Sequence, residues 1–240
     1  MSDDYAGVPR LAPPLNGVTM FAQDWLDLVF LHWPVDPAAV ARFYPPGTRP
    51  DVWHDGTTYV GLVPFRMRRA GFGPRVPVPF FGSFLEWNVR LYSVDEHGRH
   101  GVVFRSLDCT RLAVTTFARS CAIPYKYARI ETSGSREISW WMRRREGDHP
   151  TSAMTLRVGA PTEPTPLEVF LTSRWGMHSR VGRRAIWVQN EHGPWPLHDA
   201  ELLSLDDGLV AAAGIEPAGP MLRPLWTPGV HSRFALPRFA

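Results

Sequence analysis

Apolar and polar positions alternate most sharply over residues 84–92, FLEWNVRLY. On an extended strand successive side chains point to opposite faces, so Glu86, Asn88 and Arg90 share one face while Trp87, Val89 and Leu91 share the other. The carboxylate and guanidinium at positions 86 and 90 would stand roughly 13 Å apart at Cα, too far for an easy direct pair, so each is expected to meet groups from neighbouring strands. A half-buried strand with one wet face produces the same alternation. The expectation taken forward is a pocket wall: Glu86 and Arg90 face the interior of a curled sheet, and Trp87, Val89 and Leu91 pack against helices.

Residues 25–33, WLDLVFLHW, are apolar on both faces, which predicts a central strand with Leu26, Leu28, Phe30 and His32 on one side. A lone histidine ending an apolar face is more often a hydrogen-bonded core residue than a ligand, and His32 enters as a candidate ligand-binding residue beside that reading. Asp36-Pro37 caps a short helix running to Phe43. The turn His54-Asp55-Gly56 predicts a hairpin between residues 51–53 and 57–65, and Gly61 and Pro64 predict a bend or bulge of the kind that curls a sheet. Residues 100–109 would place Val102, Phe104, Ser106 and Asp108 on one face, making Ser106 a further ligand-binding candidate.

A helix is expected over residues 111–122 with Val114, Phe117, Ala118 and Cys121 buried. A meander follows, with strands at 136–143, 152–158 and 184–190 and helices near 167–175 and 208–213. Proline and glycine mark the irregular parts. Residues 1–17 read as a flexible N-terminal arm before one domain at 18–240, residues 66–83 as a candidate lid, and the C-terminal stretch as a Pro-rich tail.

With 240 residues, 44% apolar and 12% aromatic, the chain can bury a sizeable core and is too hydrophobic for disorder. The net charge of +3 is small and the arginines are scattered apart from Arg143-Arg144-Arg145, so no nucleic-acid stripe is indicated. No run approaches the ~20 apolar residues that span a bilayer, and no signal peptide is visible, which predicts a soluble cytoplasmic protein with no membrane partner. Cys109 and Cys121 lack zinc-site or disulfide-framework spacing. There is no G-x-G-x-x-G, P-loop, H-E-x-x-H or G-x-S-x-G, so nucleotide, zincin and serine-hydrolase chemistry has no local support. No metal and no cofactor is expected, and oligomeric state leaves no trace. Among the 26 basic residues Lys126 is the only lysine, directly after Pro124-Tyr125.

The segments at 25–37, 55–65, 84–92, 101–108 and 118–128, with FLTSRW at 170–175 and WPL at 195–197, resemble the YqjF-like family of uncharacterised bacterial proteins. That family is similar to the acetoacetate decarboxylase-like superfamily. The resemblance implies an α+β fold: a curled, mostly antiparallel β-sheet forming a cone or barrel, with a few flanking helices and a pocket inside. In the decarboxylases a glutamate and an arginine assist a Schiff-base lysine that follows a proline and precedes a second lysine. Glu86 resembles that glutamate and Pro124 that proline, which puts Tyr125 in the nucleophile's place and Lys126 in the helper's. A tyrosine cannot form an imine.

The implied partner is a small oxygenated or anionic molecule. The candidate catalytic residues are Glu86, Tyr125 and Lys126, and the candidate ligand-binding residues are Asn88, Arg90, His32 and Ser106. Three activities stand open. One is an enzyme acting on a carbonyl or carboxylate compound without a Schiff-base lysine. The others are a non-catalytic binding protein and an imine-forming decarboxylase or lyase using Lys126.

Overall fold

The computed structural model describes residues 5–73, 76–77, 82–120 and 123–239. The strands are β1 (Phe21–Val35), β2 (Thr48–Pro50), β3 (Thr58–Phe72), β4 (Val76–Pro77), β5 (Phe84–Asp95), β6 (His100–Cys109) and β7 (Tyr125–Ser133). They continue as β8 (Glu137–Arg144), β9 (Thr151–Pro161), β10 (Gly176–Val181), β11 (Arg184–His192), β12 (His198–Asp207), β13 (Leu225–Phe234) and β14 (Arg238–Phe239). The helices are short: α1 (Pro37–Val40), α2 (Leu112–Ser120), α3 (Pro166–Thr172) and α4 (Leu209–Ala212). The fold is α+β and sheet-dominated, as the resemblance implied.

The strands form one sheet in the order β14-β11-β10-β6-β7-β8-β9-β12-β13-β1-β3-β5-β2, with extra pairings β11–β13 and β5–β6. Those two pairings close the sheet on itself twice. A larger ring runs through β6, β7, β8, β9, β12, β13, β1, β3 and β5, and a smaller one through β6, β10, β11, β13, β1, β3 and β5. Pairing is antiparallel except where β6 meets β7 and β10. β1, β3, β5, β6 and β13 belong to both rings, so β1 and β5 are walled on both faces, which is why residues 25–33 of β1 are apolar on both and why even the polar face of β5 is largely buried.

The larger ring is filled with hydrocarbon. Val29, Leu31, Val60, Leu62, Trp87, Val89, Leu91, Ile130, Trp140, Met142, Met154 and Leu156 form one buried cluster, with Trp87 edge-on to Trp140 at 6.2 Å. Truncating Trp87 to alanine in such a core would cost about 3–5 kcal/mol. Trp87, Val89 and Leu91 therefore pack chiefly on the facing strands β8 and β9, and not on helices as expected; α1 and α4 add only Val40, Leu209 and Val210 to that cluster. The smaller ring keeps Leu28, Phe30, Val63, Phe65, Phe84 and Cys109 inside, with the α3 residues Val169, Phe170 and Leu171 against Tyr92.

Bulges decide which face each residue takes. Between Leu26 and Leu31 β1 has one residue more than β3 has between Leu62 and Arg66; Asp27 takes φ 52° at the start of that stretch, and Pro64, in the facing one, has no N–H to donate. The slip puts Trp25 on the face of Leu28 and Phe30, against Phe65 and Trp195. On β6, Ser106 pairs with Val89 and Phe104 with Arg90, leaving Arg105 as the extra residue. Phe104 thus shares Arg90's face, while Ser106 and Asp108 share that of Val89 and Trp87, correcting the uniform alternation expected over 102–108.

Several segments depart from expectation. The turn at residues 54–56 is closed as expected, by Gly56 N–H to Trp53 C=O and Trp53 N–H to Thr57 C=O, both 2.8 Å, but no 51–53/57–65 ladder extends from it because β3 pairs with β1 and β5. Residues 66–72 of the expected lid continue β3, and β4 pairs back onto it; Phe80 and Phe81 lie outside the described residues, as does Cys121. The expected Pro-rich tail holds β13, a strand between β1 and β12. Thr227-Pro228-Gly229 hides it in the sequence: Gly229 sits at φ 123° opposite Leu26, and a Cβ there would lie 2.0 Å from the Trp25 carbonyl oxygen. The N-terminal arm lies along the smaller ring, where Trp175 Nε1 donates to the Pro9 carbonyl at 2.7 Å and Gln189 to that of Pro14 at 3.1 Å.

Candidate functional site

The polar face of β5 looks into the smaller ring. Glu86, opposite Phe65 on β3 and Cys109 on β6, is 2% exposed. The Tyr125 hydroxyl, at the start of β7, donates to Glu86 Oε2 at 2.7 Å. Burial pushes the Glu86 carboxyl up to about 8, more than the hydrogen bonds from Tyr125 and Asn88 pull it down; the charge of Asp108 adds to the rise. Burial, with Glu86 beside it, raises the Tyr125 phenol well above its usual value, so it stays a donor. Burial likewise lifts the neighbouring Cys109 thiol to about 11, keeping it protonated.

Further along the same face Arg90 Nε donates to the Tyr92 hydroxyl at 3.3 Å, and Tyr92 lies 2.6 Å from His32 Nε2. Burial, then the charges of Arg90 and Arg174, hold His32 well below its ordinary value, so it is neutral. A hydroxyl that accepts from Arg90 donates onward, which makes His32 Nε2 the acceptor. Gly61 permits this crowding, since a Cβ there would lie 2.8 Å from the Tyr92 oxygen and 3.2 Å from Arg90 Cγ. Arg90 Nη2 and Asn88 Oδ1 are buried without a partner.

Arg174 approaches Tyr92 from the helix side. The Thr165–Glu168 capping box and Pro166 start α3, and the chain leaves it so that the Arg174 guanidinium carbon sits 4.2 Å from the Phe170 ring centroid and 4.9 Å from that of Tyr92. Its Nη1 pairs with Asp51, which also takes His100 Nδ1 at 2.7 Å; Arg174 Nε and Nη2 are buried without a partner. Burial alone would raise Asp51, but Arg174 and His100 hold it below the usual carboxylate value. His192, packed edge-on or tilted among Trp25, Trp175 and Trp195, bonds through Nδ1 to the Gly193 carbonyl at 2.6 Å. Burial lowers it to about 4, so its Nε2 is an acceptor.

Of the residues singled out in the sequence, Glu86, Asn88, Arg90, His32 and Tyr125 come together on this face. Ser106 and Lys126 do not: Ser106 is opposite Val89, and Lys126 is opposite Asp108 on the other side of the wall. There the Asp108 carboxylate is held by Arg144 through bonds of 2.7 and 2.8 Å. Sequence reasoning missed Tyr92, Arg174 and His192. Arg174 had a signal, standing six residues after the capping Glu168 in FLTSRW. No group of three or more His, Cys, Asp or Glu suited to a metal occurs among the described residues.

Comparison with known proteins settles the family. Residues 22–231 match the model of DUF2071, described as an uncharacterized conserved protein. The chain belongs to the DUF2071 family. It is 28% identical over 193 residues to the uncharacterized protein YqjF of Bacillus subtilis strain 168, covering 78% of each chain. Among solved structures, this DUF2071 chain superposes on acetoacetate decarboxylase from Legionella pneumophila with a TM-score of 0.65 at 12% identity, covering 95% of this chain and 91% of that one. It also superposes on the enduracididine biosynthesis enzyme MppR, in complex with the condensation product of pyruvate and imidazole 4-carboxaldehyde, with a TM-score of 0.63 at 15% identity over 96% and 90%. The DUF2071 chain therefore has an acetoacetate decarboxylase-like fold. No helix among the described residues is long and apolar enough to cross a membrane.

Proposed function

We propose that the polar face of the smaller ring binds a small organic carboxylate bearing a carbonyl group and moves a proton on it through Glu86, without a covalent enzyme intermediate. The observation that carries this reading is the Tyr125–Glu86 pair: a buried carboxyl with a value near 8, aligned on one strand face with the unpartnered Arg90 Nη2. A carboxylic acid tuned to that range is mostly protonated at neutral pH and can donate to a carbonyl oxygen or an enolate; its conjugate base can take a proton from the adjacent carbon. Arg90 supplies the charge-assisted donor for the substrate's carboxylate, and Asn88 Oδ1 the acceptor between them.

The imine route through Lys126 is set aside, because Lys126 lies opposite Asp108 and the phenol of Tyr125 takes the place beside Glu86. A non-catalytic binding role is the second reading, favoured by one observation: the group next to Glu86 is an unreactive phenol. Exchange of solvent deuterium into the carbon adjacent to the carbonyl of small oxo-acids, followed by proton NMR, separates the two. Exchange that Glu86→Gln abolishes while binding persists supports the enzyme. Binding without exchange supports the carrier, and a protein bound by no oxo-acid or aromatic acid in a thermal-shift panel removes both.

A further inference from the structure

β6 forks. Its edge pairs in parallel with β10 at Val102–Met177 and with β7 at Leu107–Tyr125 to Cys109–Tyr127, so residues 103–106 face the gap where the two rings part. A cavity of about 330 Å³ fills that gap, lined by Val103, Phe104 and Arg105 of β6, by Phe43 and Tyr44 of the turn after α1, and by Met177 of β10, among others. Arg42 and Arg180 stand at its exposed side. Phe104 and Met177 pack against the Tyr92 cluster and so wall this cavity off from the interior face of β5.

Its charge is one-sided. No Asp or Glu lines it, and none of Arg42, Arg105 and Arg180 forms an ion pair with a carboxylate among the described residues. Arg42 and Arg105 share the Phe43 ring, at 4.5 and 3.7 Å from its centroid. Arg105 Nη2 donates to the Ala213 carbonyl at 3.2 Å, and Arg42 Nη1 to that of Ala39 at 3.1 Å. Arg105 Nε is buried with no partner at all. Two guanidiniums on one ring beside an orphaned N–H are mutually repulsive, and burial with Arg42 alongside lowers the Arg105 value. The β6 bulge is what places Arg105 there, as the residue β5 leaves unmatched.

We propose that the fork is a second binding site, specific for a carboxylate carried on a compact apolar body such as an aromatic ring. The arginines recognise the anion, and Phe43, Tyr44, Val103, Phe104 and Met177 receive the hydrocarbon. The volume suits it, since an apolar cavity of ~150 Å³ already accommodates benzene. The site does not depend on the function proposed for Glu86.

Calorimetry with benzoate and 3-phenylpropionate tests this, using the neutral amide of each and inorganic phosphate as comparisons. Saturable binding of the carboxylates is expected, about tenfold or more tighter than the amides, weakened at least about tenfold by Arg105→Met and unchanged by Arg90→Met. If Arg105→Met does not fold, the exposed Arg42→Met and Arg180→Met must each weaken binding. The proposal falls if the wild type binds neither carboxylate or if amide and acid bind alike. It falls equally if phosphate competes as well as the carboxylates, or if Arg90→Met abolishes binding while the fork variants retain it.

Discussion

Tyr125 donates to Glu86 across 2.7 Å, from the first residue of β7 to the third of β5, two strands that are not neighbours in the sheet. β6 lies between them, and both side chains stand on its Leu107–Cys109 side. One hydrogen bond thereby ties the element after α2 to the wall common to both rings. It also favours the charged carboxylate, against the burial that disfavours it. Tyr125→Phe should therefore raise the Glu86 value above about 8 and move the basic limb of any Glu86-dependent pH profile upward. Carbon-13 NMR of labelled glutamate carboxyls reads the shift directly, and an unmoved or lowered titration would contradict the assignment.

Glu86 should also mark the pH dependence of stability. Its folded value of about 8 lies above the unfolded value, so between about pH 4.5 and 8 the native state holds more protons and stability falls as pH rises. Glu86→Gln abolishes that loss. Relative to wild type the variant should gain stability from pH 5 to pH 8, by an amount on the order of a few kcal/mol. His32 and His192, held low by burial, and Asp51, held low by its ion partners, act with the opposite sign at lower pH and cancel in the comparison. Urea unfolding at the two pH values measures it; a constant difference would mean that Glu86 ionises normally.

The two arginines flanking Tyr92 should separate on truncation. Arg90 pairs with no carboxylate among the described residues, so Arg90→Met should leave stability near wild type while weakening a carboxylate ligand by about 1.5–3 kcal/mol. Arg174→Met leaves Asp51 buried with only His100, and should cost about 3 kcal/mol of stability as well as affinity. Urea unfolding alongside calorimetry separates the two effects. Equal stability losses would show that the Asp51 pair is not what distinguishes them.

The sequence made the shared wall legible at β1, whose residues 25–33 are apolar on both faces because both are buried. Alternation also placed Glu86, Asn88 and Arg90 together. It failed at bulges: one extra residue, Arg105, turned Ser106 to the other ring, and the turn-like Pro228-Gly229 concealed β13. Arg174 was invisible to strand periodicity, since it follows a helix and reaches Tyr92 only through tertiary packing. The β5–β6 pairing that both rings need is a hairpin whose turn at Asp95 to Gly98 is local, whereas the β11–β13 pairing that closes the smaller ring is a long-range contact with no local signature.

The sole lysine offers the sharpest test of the chemistry. Lys126 follows Tyr125 by one residue on an extended strand, so its side chain leaves from the opposite face, where its register partner is Asp108. Borohydride trapping with pyruvate or acetoacetate should give no adduct at Lys126 by intact mass and peptide mapping. The variant Tyr125→Lys, made with Lys126→Arg, moves the amine to the face of Glu86, where burial would lower its value and free its lone pair. A trapped adduct in that double variant alone would show that side-chain direction, and not the residues around Glu86, withholds imine chemistry from the wild type. An adduct on wild-type Lys126 would instead overturn the placement of Glu86 and Tyr125 at the centre of the site.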